Sequence, residues 1–105
     1  MAFYRQGNVL LCQVDALPDG ALRVPAEGCI VLPFGEVAGH AHTVDANHAE
    51  EYVSSDSHGE RRHLRVLKPA SLMHEAHAAV SLSPGIYEIV RLRKYAPGDI
   101  SPAAG

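Results

Sequence analysis

The sequence predicts an all-β domain, either a small barrel or a two-sheet sandwich of about eight short strands. Apolar stretches of strand length recur roughly every ten residues. Turn chemistry built from Pro, Gly, Asp and Asn separates them. Only the stretch from Pro69 to Ala79 has a helical composition, with Leu72, Met73, Glu75 and several alanines behind a proline, so it is ambiguous between strand and one short helix near 70–79.

Taken in order, Asn8 to Val14 is an unbroken apolar run and reads as a strand covered on both faces. Leu17-Pro18-Asp19-Gly20 is a turn, since proline fixes φ and glycine accepts a positive one. Ala21 to Val24 reads as a short edge strand stopped by Pro25, and Gly28 to Leu32 as a second buried strand stopped by Pro33. Phe34 to Gly39 is turn-like. His40 to Val44 is a strand, Asp45 to His48 a turn, and Glu50 to Ser54 another strand. The polar run Ser54 to Glu60 reads as an exposed hairpin loop. Arg61 to Lys68 alternates, with Leu64 and Val66 inward and Arg61, His63 and Arg65 outward. Ala78 to Leu82 is a strand and Ser83-Pro84-Gly85 a turn. Ile86 to Tyr95 is the longest strand; both of its faces carry apolar residues, so it belongs at the centre of a sheet or in an interface.

At 105 residues the chain holds one domain, expected over residues 1–96, followed by a flexible Pro/Gly-rich tail at 97–105. A domain this small is marginal alone, so a homo-oligomer is the expectation. No apolar run approaches the ~20 residues of a membrane helix, and the start lacks the pattern of a signal peptide, which predicts a cytoplasmic protein. The net charge of −3 disfavours nucleic acid and anionic lipid as partners, although seven histidines would erase that balance in mild acid. The two cysteines, Cys12 and Cys29, lie in apolar runs and read as buried thiols.

The functional signal lies in two histidine clusters. His40 and His42 sit at i and i+2 behind a glycine-bounded turn, which on a strand puts both rings on one face, with Val44 continuing that face. His74-Glu75-Ala76-His77 spaces its histidines by three. On a straight strand they would diverge, whereas on a helix or across a tight turn both face together. If the clusters meet, His40, His42, His74 and His77 are a ligand set for a divalent transition metal, zinc, iron or manganese, with a small-molecule substrate at an open position. Glu36 and Glu75 are then the candidate catalytic carboxylates, as ligand or general base. His48, His58 and His63 read as solvated. The zinc-protease pattern H-E-x-x-H, paired-cysteine zinc patterns and phosphate-binding glycine loops are all absent. Tyr87 and Tyr95 interleave with arginines on the last strand, which offers a stacking or assembly surface as the alternative use of the chain.

Gly35-Glu36-x-x-Gly39-His40-Ala41-His42, then His74-Glu75-x-His77, then Pro84-Gly85-Ile86-Tyr87 resembles a group of small uncharacterised bacterial and phage proteins. Arg5-Gln6-Gly7-Asn8 and Arg93-Lys94-Tyr95 extend that resemblance. More distantly, His-x-His behind a glycine turn is similar to the metal motif of cupins. That resemblance implies a β-barrel whose metal is held by His40, His42 and a later histidine. Asp45 and Glu50 straddle the place of the cupin glutamate. Two functions follow: a metal-binding β protein, with enzymatic use of the metal left open, or a non-catalytic binding or assembly module whose histidines are structural or pH-sensing.

Overall fold

The computed structural model describes residues 2–32 and 41–92. Ten strands, all antiparallel, form two sheets, and no helix occurs among the described residues. The strands are β1 (Phe3–Gln6), β2 (Val9–Val14), β3 (Leu22–Val24), β4 (Cys29–Val31), β5 (Thr43–Asp45), β6 (Ala49–Asp56), β7 (Gly59–Val66), β8 (Ala70–His74), β9 (His77–Leu82) and β10 (Gly85–Arg91). The larger sheet runs β1-β2-β10-β7-β6-β3 and the smaller β4-β5-β8-β9. They face each other as a sandwich rather than closing into a barrel.

The core is the two inner faces. Val9, Leu11, Leu64, Val66, Tyr87 and Ile89 come from the larger sheet, and Ile30, Val44, Ala70, Leu72 and Leu82 from the smaller. Alternation explains which residues enter: Leu64 pairs with Tyr87 across β7 and β10, and Leu11 pairs with Ile89 across β2 and β10, each pair sharing one face. The last strand is central, as its two apolar faces imply. Tyr87 closes a corner at the start of that strand, its hydroxyl donating to the carbonyl of Ser83 at 2.7 Å. The Tyr4 ring meets it edge-on at 5.6 Å. Burial pushes the Tyr87 phenol up to about 12.

Several expectations change. The residues near 70–79 form the β8–β9 hairpin instead of a helix. Helix-forming composition loses because Leu72 and Leu82 complete the core only from extended strands. β4 is an edge strand with only Ile30 inward, so Cys29 is exposed, and Cys12 is half-buried on the outer face of β2. The polar run at Ser54–Glu60 is mostly strand, with only Ser57-His58 left as the turn. Tyr87 and Ile89 are buried and present no assembly surface, while Tyr95 lies outside the described residues. β1 has no counterpart in the sequence reading. It is joined to β2 by the two-residue turn Gly7-Asn8, where Gly7 takes a φ of 56° that a side chain would resist. That turn places Gln6 and Asn8 beside the smaller sheet, where β1 packs against β9.

Candidate histidine site

Three of the four predicted histidines converge, from two segments far apart in sequence. His42 immediately precedes β5, and its carbonyl accepts from Leu32 N at 2.9 Å, so the β4–β5 ladder continues past the strand ends. His42 is therefore on the same inward face as Val44, and its side chain is fully buried. His74 and His77 end the facing strands of the β8–β9 hairpin and pair directly, with only Glu75-Ala76 between them. Directly opposed residues of an antiparallel pair share a face, so spacing by three works through the tight turn. The ring centroids lie 4.4 Å apart for His42–His74, 4.6 Å for His74–His77 and 6.1 Å for His42–His77.

A β-bulge makes this possible. Leu72 pairs with Val80 and His74 with His77, so Ala78 and Ala79 together lie opposite Met73. From Leu82 and Val80, strict alternation would turn Ala78 inward and His77 outward. The extra residue inverts the parity: Ala78 is exposed and His77 turns toward the cluster.

Gln6, 3% exposed, ties these pieces together. Its Nε2 donates to the carbonyls of Leu72 and Ala78, both at 2.9 Å, on the two sides of the bulge. Those bonds use both amide hydrogens and fix the amide orientation, so Oε1 can only accept. It accepts from His42 Nδ1 at 2.9 Å, which places a proton on Nδ1 and leaves Nε2 as the lone-pair nitrogen of the neutral ring. That Nε2 faces Asn8 Oδ1 at 3.3 Å. His74 is set the other way, since its Nδ1 accepts from the Ala76 amide at 3.0 Å and the neutral ring then carries its proton on Nε2. Gln6 and Asn8 were not legible as site residues; the only signal was a glutamine at the inward-facing end of a short strand.

Of the other candidates, Glu75 is exposed in the turn. It borders a groove of about 380 Å³ lined by Ala41, Thr43, Met73, His74 and Glu75. His40 and Glu36 lie outside the described residues. Among the described residues no three His, Cys, Asp or Glu side chains are grouped so as to hold a metal ion. His58 is exposed, as read, whereas His48 is half-buried with its Nδ1 2.9 Å from the Pro69 carbonyl oxygen. His63 corrects its reading: it does point to the outer face, but it is 2% exposed there. Its cross-strand neighbours are Tyr52 and Glu88, and burial pushes its ring down from the ordinary value.

Four of the described arginines are ion-paired. Arg61 pairs with Glu88 and Asp56, Arg62 with Glu51 and Glu60, and Arg23 and Arg65 with Glu50. No helix of the described residues is long and apolar enough to cross a membrane.

Residues 5–92 match the family described as Domain of unknown function (DUF8820), and the chain belongs to that family. No curated protein and no solved structure shows significant similarity to it.

Proposed function

We propose that this member of the family is a small metal-binding β protein, with the histidine cluster as the site of a divalent transition metal such as zinc, iron or manganese. The observation that carries the reading is the pinned His42 ring. Metal-ligating histidines characteristically donate their second ring N–H to an acceptor that fixes tautomer and orientation, and Gln6 Oε1 does this for His42. Two directly bound N and O donors on a tetrahedral ion lie ~3.4 Å apart, close to the 3.3 Å between His42 Nε2 and Asn8 Oδ1. Imidazoles sharing such an ion have centroids ~5 Å apart, so the His42 and His77 rings, now 6.1 Å apart, would draw closer by about 1 Å on binding. Facing lone pairs on His42 Nε2 and Asn8 Oδ1 repel, and a cation would relieve them.

His42 Nε2, Asn8 Oδ1 and His77 are the donors this reading draws from the described residues. His74 is held as an N–H donor by the Ala76 amide and serves as a wall. His40 and Glu36 remain in the proposed set from their sequence position. The groove beside Glu75 is the proposed route for a small-molecule ligand, and catalytic use of Glu75 there is part of the proposal. We place the protein in the cytoplasm, where Cys12 and Cys29 stay reduced. Self-association, also proposed, would use exposed Phe3, Leu22, Val31 or Met73.

A second reading has one observation in its favour. If the Asn8 amide is turned so that Nδ2 donates to His42 Nε2, the network is satisfied without an ion, and the domain is a non-catalytic binding or assembly module with structural histidines. Elemental analysis of untagged protein separates the two. About one equivalent of metal per chain, with melting lowered by chelation, is the expected result. No bound metal, no uptake of added zinc or cobalt(II), and melting unchanged by chelator would leave the module reading alone.

A further inference from the structure

We infer that Gln6 is the positioning residue of the cluster, the group that builds the site from two otherwise separate segments; its importance for metal affinity rests on the reading above, whereas its structural action does not. Three bonds carry the inference. Two N–H bonds from one buried amide reach Leu72 O and Ala78 O, the carbonyls on either side of the β8–β9 bulge. The remaining oxygen accepts from His42 Nδ1. One side chain on β1 therefore holds the irregularity that turns His77 inward and sets the tautomer of His42.

The geometry leaves little choice of residue. A strand that merely covered this edge would bring an apolar side chain, and the carbonyls of Leu72 and Ala78 would lose these donors. Leucine matches glutamine in size but makes none of the three bonds. Glutamate keeps the acceptor for His42 and loses both donors to the bulge. Only a primary amide of this length supplies two donors and one acceptor together. The site is thus incomplete without β1, although β1 contributes no histidine.

Gln6→Glu and Gln6→Leu separate the two actions. Long-range proton–nitrogen NMR reads the tautomer of His42, and amide hydrogen exchange reads the β8–β9 hairpin; both are measured on metal-free protein. Gln6→Glu is expected to keep the proton on His42 Nδ1 while exchange at the hairpin rises about tenfold or more. Gln6→Leu is expected to raise exchange similarly and also to shift His42 toward a mixture of tautomers. Cobalt(II) titration of both variants is expected to show affinity ~10–100-fold weaker than in the parent protein. Parent-like tautomer and parent-like hairpin exchange in Gln6→Leu would overturn the inference, whatever the metal result. If Gln6→Leu does not fold, Gln6→Glu decides the bulge action through hairpin exchange. Parent protein that ignores cobalt(II) while both NMR readouts move as described removes the metal reading and leaves Gln6 as the organiser of the cluster.

Discussion

Two buried histidine environments lie on the two faces of the larger sheet, one between the sheets and one outside, and their ring nitrogens are held differently. The cluster of His42, His74 and His77 lies between the sheets, and the Nδ1 atoms of His42 and His74 are fixed there by Gln6 Oε1 and the Ala76 amide. His63 lies on the outer face of the larger sheet, equally hidden, yet its Nδ1 has no hydrogen-bond partner. Beside it across the sheet lie Tyr52 and Glu88, with Arg61 ion-paired to Glu88. Burial alone therefore does not mark a site. A positioned partner fixes which ring nitrogen carries the proton, and on the proposed reading it leaves the other to bind.

The largest effect should come from breaking the first environment. His42→Leu fills similar space but leaves Gln6 Oε1 buried without its donor. An unsatisfied buried acceptor costs roughly 1–3 kcal/mol, so urea denaturation should show a loss of that size. Any metal taken up by the parent protein should be lost in the same variant. A variant as stable as the parent would mean that the Gln6–His42 bond contributes nothing net, and the contrast with His63 would collapse.

The same swap on the other side should behave differently. His63→Leu removes a buried ring whose Nδ1 is already unsatisfied, so stability near neutral pH should stay within about 1 kcal/mol of the parent or rise. Its signature is in pH. Desolvation is the main cause that holds the His63 ring below its ordinary value of 6.5, Glu88 opposes it and Arg61 adds to it. Between the lowered value and 6.5 the unfolded chain binds more protons than the folded one, so stability rises with pH across that window and is fully present above it. Glu51 acts in the contrary sense lower down. Burial, partly offset by Arg62, raises its carboxyl above 4.5, so its contribution falls as pH rises through that region. His63→Leu should flatten the limb just below neutrality and leave the Glu51 limb in place. Denaturation curves collected from pH 5 to 7.5 check this, and an unchanged slope would show that His63 titrates as it does in the unfolded chain.

The two environments also differ in how far the sequence reveals them. Turn residues such as Pro18-Asp19-Gly20 and the two-faced final strand place most of the sandwich, because local chemistry decides them. The His40/His42 and His74/His77 spacings point to a cluster, and for His42, His74 and His77 the fold brings them together through a tight turn. The β-bulge was not legible, since Ala78 and Ala79 carry no pattern that distinguishes one inserted residue. Nor was Gln6, because a four-residue strand gives too few positions for alternation to show. The outward direction of His63 follows from period two, but its burial does not. Tyr52 and Glu88 reach it through cross-strand register, which no local window contains.

The smallest effect on stability, and the finest test of the comparison, comes from Arg61→Ala. Arg61 is a surface residue whose side chain is 43% exposed, and its bonds to Glu88 and Asp56 are those of a screened surface pair, so the stability change near neutral pH should approach the detection limit of urea denaturation. The titration of His63 should nonetheless move. Removing Arg61 takes away a neighbouring positive charge and frees Glu88 to favour the imidazolium. Both changes raise the His63 value toward 6.5 and narrow the window over which stability depends on it. NMR titration of the His63 ring protons should thus show a midpoint higher than in the parent, while His42, held by Gln6, keeps its Nδ1 proton. A lower or unchanged His63 midpoint would mean that the Arg61–Glu88 pair does not act on the ring.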